Sequence, residues 1–80
     1  MANFTFDDLS RILRDSAGLA LDPGHDDTPL ADLGYESLAV LEFASRVKKQ
    51  YGVALPDEAV DVSHTPREIL TTVNERLGLT

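Results

Sequence analysis

Eighty residues with a net charge of −7 and no cysteine bound what this chain can be. That length is one domain near the lower limit for burying a core unaided, with an expected stability on the order of 3–5 kcal/mol; without cysteine it has no disulfide framework and no thiolate metal site. The entire net charge falls between Asp15 and Ser45, a window with seven acids and no lysine or arginine, and a field of that sign repels phosphate backbones and anionic lipid while steering basic partners inward.

Neither nucleic acid nor membrane is therefore an expected partner. The opening Met1-Ala-Asn-Phe-Thr-Phe-Asp-Asp lacks a basic segment followed by an apolar run, so no signal peptide is expected there. No stretch reaches the length of a membrane span, and a cytoplasmic location suits a chain free of cysteine.

In chain order, a first helix is predicted from about Phe6 to Ala17. Thr5 serves as its N-cap, Asp7 and Asp8 suit its positive end, and Gly18 closes it. Leu9, Ile12, Leu13 and Ser16 recur at i, i+3, i+4 and i+7 and form one stripe. The next 19 residues, Gly18 to Glu36, contain Pro23, Gly24, Pro29 and Gly34 and read as a loop of functional length, pinned to the core by Leu21, Leu30 and Leu33.

A second helix is predicted from about Ser37 to Tyr51, stopped by Gly52. Val40, Phe43, Ala44, Val47 and Tyr51 share its core face, which turns Leu38 and Glu42 almost directly away and leaves Leu41 at the shoulder. The stretch Val53 to Val60 predicts a short helical turn, with Pro56 near its start and Asp57 and Glu58 in its first turn. Thr65-Pro-Arg-Glu68 is a capping box with proline at the first helical position, and Ile69, Leu70, Val73 and Leu77 give the last helix its stripe up to Gly78. The predicted fold is all-α: a small three- to four-helix bundle with a long loop between the first and second helices, one domain over residues 1–80.

Ser37 is the candidate site. From position alone it reads as the N-cap of the second helix, a role compatible with attachment of an anion, which the free N–H groups and helix dipole favour. A hydrolase nucleophile is a poor alternative, because Gly-Tyr-Glu-Ser-Leu-Ala is not a nucleophile elbow and the two histidines, His25 and His64, lie in polar loop stretches. Asp22, Asp26 and Asp27 lack the spacing of a calcium loop, and the histidines lack zinc-ligand spacing, so no metal site is expected. Glu36 and Glu42 are either solvated surface acids or, flanking an exposed Leu38, part of a docking patch for a basic protein groove.

Leu33-Gly34-Tyr35-Glu36-Ser37-Leu38, Tyr51-Gly-Val-Ala-Leu-Pro-Asp57 and Thr65-Pro-Arg-Glu-Ile-Leu70, following a long loop, together resemble an acyl carrier protein. The resemblance covers Leu30 to Leu77 well and the first helix more loosely. It implies that Ser37 accepts a covalent 4′-phosphopantetheine arm from coenzyme A, through a separate phosphopantetheinyl transferase and its Mg²⁺. It further implies that the chain is a carrier and not an enzyme, with Leu38 and Glu42 at partner-docking positions beside Glu36 and Leu41. One residue departs from the family pattern: Glu36 stands where aspartate is usual.

Tyr35, Tyr51-Gly-Val and Thr65-Pro-Arg-Glu, with Arg46, Lys48 and Lys49 late in the second helix, look more like carriers of bacterial aromatic (type II) polyketide synthases than of fatty-acid synthesis. The implied partners are a ketosynthase/chain-length factor pair, a malonyl transferase, a ketoreductase and cyclases; the implied cargo is malonyl and growing poly-β-keto chains, carried by a monomer. A fatty-acid carrier, a peptidyl carrier and an unmodified acidic helical adaptor remain as alternatives. Ala39 and Ala44 leave open whether cargo folds back into the bundle.

Overall fold

A computed structural model describes residues 3–56 and 60–78. Among the described residues there are three α-helices, α1 (Phe6–Ala17), α2 (Ser37–Tyr51) and α3 (Pro66–Gly78), and the connection between α1 and α2 contains two 3₁₀ turns, Pro23–His25 and Leu30–Leu33. No strand occurs among the described residues. None of the described helices is long and apolar enough to cross a membrane.

Local chemistry fixes the ends of these helices. At the start of α1, the Asp8 N–H donates to Thr5 Oγ1 and the Thr5 N–H donates to Asp8 Oδ2, a reciprocal capping box. That bond to the Thr5 N–H is the main reason the Asp8 carboxyl titrates below the usual carboxylate range. Thr65 and Glu68 repeat the arrangement at α3, with the Thr65 N–H donating to Glu68 Oε1 at 2.8 Å. Gly18 ends α1 at φ 76°, a left-handed conformation costly for residues with a Cβ, and its N–H closes on the Arg14 carbonyl.

The predicted stripes meet in one core. Leu9, Ile12 and Leu13 of α1 pack with Val40, Phe43 and Val47 of α2 and Ile69 and Val73 of α3. Ala44, Tyr51, Leu70 and Leu77 lie at the margin, partly covered. Residues outside the helices complete the core: Phe4, Leu21, Leu30, Tyr35, Val53 and Val60 are all buried. Phe4 meets the edges of Phe43 and Tyr51, and Asn74 holds its backbone at both N–H and C=O.

The long loop is structured along its length. Leu21, Leu30 and Leu33 pin it as expected, although Leu33 is only partly buried. Leu30 and Ala31 donate backbone hydrogen bonds to the carbonyls of His64 and Val62. The Arg67 N–H donates to the Asp26 carbonyl, and its guanidinium reaches Asp27 at 2.7 Å. This loop therefore rests on the entrance to α3. Of the short helical turn expected over Val53 to Val60, residues 53–56 carry no regular secondary structure and Val53 is buried, while Asp57, Glu58 and Ala59, on which that turn falls, lie outside the described residues.

Candidate functional site

Four residues deliver the chain from loop to α2. The 3₁₀ turn Leu30–Leu33 ends at Gly34, whose φ of 94° turns the backbone sharply. Tyr35 then plunges into the core, 4 % exposed, and its hydroxyl donates to the Leu19 carbonyl at 2.9 Å. Burial, with the Asp22 charge adding to it, pushes the Tyr35 hydroxyl above its ordinary pKa, so it stays protonated and keeps that bond. With Tyr35 directed inward, Glu36 and Ser37 emerge on the surface.

Ser37 is the first residue of α2, not its N-cap. The cap is Glu36, in extended conformation, whose carbonyl accepts the Val40 N–H; its side chain makes no capping bond. The capping role expected for Ser37 is thereby corrected, because an oxygen one position inside the helix no longer reaches back to the free N–H groups. Ser37 is exposed, and no described residue hydrogen-bonds its hydroxyl. An uncapped helix start beside a free hydroxyl suits a phosphodiester joined to that oxygen: the open N–H groups and the dipole both favour the anion.

Leu38 stands 77 % exposed and Leu41 49 %, unusual values for large apolar side chains, with Glu36 and Glu42 exposed beside them. Glu42 lies 3.8 Å from Arg46 in a loose surface ion pair. The structure thus brings all five expected residues, Glu36, Ser37, Leu38, Leu41 and Glu42, to one end of α2.

Two recesses flank this end, and the sequence did not announce either. One, of about 420 Å³, lies between α1 and α2 and is lined by Leu19, Gly34, Glu36, Leu38, Ala39 and Glu42, among others. The other, of about 150 Å³, is formed by Ser37, Val40, Leu41, Val60 and Asp61. Leu19, Val60 and Asp61 sit in segments without helical periodicity, where sequence pattern carries no orientation signal. No cluster of three or more metal-ligating side chains occurs among the described residues.

Comparison with known proteins agrees with this geometry. Residues 7–73 match the family described as "Phosphopantetheine attachment site". The monensin polyketide synthase acyl carrier protein of Streptomyces virginiae is 46 % identical over 78 residues, covering 94 % of this chain and 89 % of that protein. Among solved structures, the actinorhodin polyketide synthase carrier of Streptomyces coelicolor bearing a 3,5-dioxohexyl triketide mimic superposes with a TM-score of 0.84 at 37 % identity, covering 99 % of this chain and 96 % of that one. The holo form of the actinorhodin carrier gives 0.82 at 38 % identity, over 99 % and 96 %.

The chain belongs to the acyl carrier proteins of polyketide synthases. Its prosthetic group is 4′-phosphopantetheine, and the polyketide subtype implied by Tyr35, Tyr51-Gly-Val and Thr65-Pro-Arg-Glu is the one its relatives carry.

Proposed function

We propose that Ser37 is the residue that takes the 4′-phosphopantetheine arm, and that the protein acts as a one-domain subunit of a multi-enzyme polyketide synthase. The observation that carries this reading is the free, exposed Ser37 hydroxyl at the uncapped start of α2. When bound, the arm supplies a terminal thiol on which malonyl and growing polyketide chains travel as thioesters. The protein's own residues do the rest: Tyr35 and Gly34 hold Ser37 outward, and the N-terminal dipole of α2 favours the phosphodiester.

Glu36, Leu38, Leu41 and Glu42 form the docking face. Leu38 and Leu41 offer apolar area that partners bury, while the two glutamates attract basic rims and fix orientation. Partners with a basic groove fit this face: the transferase first, then a ketosynthase/chain-length factor pair, a malonyl transferase, a ketoreductase and cyclases.

Incubation with coenzyme A, Mg²⁺ and a broad-specificity transferase, read by intact mass, tests the assignment. One phosphopantetheine should appear on wild type and none on Ser37→Ala. Equal modification of both proteins refutes the choice of residue. A second assay, elongation of malonyl units with an aromatic polyketide ketosynthase pair, tests the cargo; support of fatty-acid elongation alone contradicts it.

A further inference from the structure

Along its exposed side, α2 changes sign. One outward row runs through Leu38, Glu42, Ser45 and Lys49, at i, i+4, i+7 and i+11, and Lys48 shares a shoulder with Leu41. All of these side chains are exposed. Within α2 no base precedes Arg46 and no acid follows Glu42.

The helix ends do not account for the whole reversal. Lys48 and Lys49 lie in the last turn, where the dipole favours cations. The first turn, however, holds no acid, and the switch from Glu42 to Arg46 falls in the middle of the helix. Arg46 is already engaged, paired with Glu42 at 3.8 Å. Lys48 and Lys49 form no ion pair with any described residue. They follow Glu42 by about 9–10 Å along the axis, further than the roughly 8 Å over which physiological salt screens charge. A partner therefore meets two separate patches and not one cancelled sum.

We propose that this two-signed face is a polarity key for the partner enzymes: the groove that fits it is basic beside Ser37 and carries carboxylates opposite Lys48 and Lys49. The inference rests on the docking of partners at Glu36, Leu38, Leu41 and Glu42. A helix acidic along its whole length would attract a uniformly basic groove in either direction, leaving its approach undetermined. Here the reversed approach sets the two lysines against the basic rim and Glu42 against the carboxylates, and like charges brought together oppose binding. The favoured approach delivers Ser37 to one end of the groove. A uniformly basic groove meets repulsion from Lys48 and Lys49 whichever way it lies.

The sign of a neutral substitution tests this. Lys48→Gln/Lys49→Gln removes both charges about 17 Å along the axis from Ser37, too far to touch the reacting atoms. Holo wild type and variants serve as carriers in malonyl elongation by the ketosynthase/chain-length factor pair from the producing cells, with KM and kcat measured separately. The double variant should raise KM roughly threefold to tenfold at low salt and leave kcat unchanged. The difference should vanish at about 0.5 M sodium chloride. Lys48→Arg/Lys49→Arg, which keeps both charges, should retain the wild-type KM. A lower KM for the glutamine variant means a groove basic throughout, and an unchanged KM means one that ignores these lysines; either overturns the inference. A rise that persists at high salt, or that the arginine variant shares, reflects altered shape and overturns it too. Leu38→Ala separates the two readings. Unchanged KM there removes the docking face and this inference with it; raised KM there, without the glutamine effect, removes the polarity key alone.

Discussion

Glu36 carries its carboxylate one methylene further from the backbone than the aspartate usual at that position in carrier proteins. Since Glu36 is exposed and its side chain makes no capping bond, nothing in the fold requires the longer residue. The expected consequence falls on the transferase, which positions its metal and coenzyme A around the acid and the adjoining serine. Glu36→Asp should be modified faster than wild type in initial-rate intact-mass assays; a slower Asp variant contradicts this account. At Leu38 the argument concerns area. A side chain 77 % exposed contributes little to folding, yet burying it in a partner is worth about 1.5–3 kcal/mol. Leu38→Ala should leave the thermal midpoint unchanged and raise the KM for partner enzymes by roughly tenfold or more.

At the scale of elements, the contact between the long loop and α3 makes a pH prediction. The Arg67 guanidinium, bonded to Asp27, holds the Asp27 carboxyl below the usual carboxylate range. A carboxyl whose folded pKa is depressed stabilises the fold above its unfolded pKa of about 3.9 and loses that contribution as pH falls through the lower folded value. The pair is exposed, so its effect is small and weakened by salt. Arg67→Met should lower stability at pH 7 and show a shallower loss between about pH 5 and 3 than wild type, measured by urea denaturation at each pH.

The helices themselves were readable: Thr5 and Thr65 announce their starts, Gly18 and Gly52 their ends, and 3.6-residue periodicity orients α1 and α2. The exposure of Leu38 followed from the same geometry, since placing Val40, Phe43 and Val47 inward turns Leu38 outward. What the pattern did not reveal lies in irregular chain. Burial of Phe4, Tyr35 and Val60, the bridge from Leu30 to His64, and the two recesses beside Ser37 all arise from tertiary contacts that leave no local periodicity. The start of α2 shows the same limit, because extended backbone at Glu36 moves Ser37 one position into the helix.

For the whole molecule, a small core leaves little reserve. Leu30 is fully buried although it belongs to a loop, and it joins that loop to the helices. Leu30→Ala should lose about 2–5 kcal/mol, comparable to the entire expected stability of a domain this size, and the variant should be largely unfolded by far-UV circular dichroism at 37 °C. A stably folded variant would mean that the loop does not hold the bundle together. The proposed division of labour follows from the same smallness: the bundle supplies a post and a helix dipole, and the reactive group is attached from outside. Protein recovered from its producing cells while polyketide is being made provides the most direct test, by mass spectrometry of the peptide that spans Glu36 to Arg46. Phosphopantetheine, free or acylated, on Ser37 is the predicted result; a bare Ser37 throughout active synthesis contradicts the account.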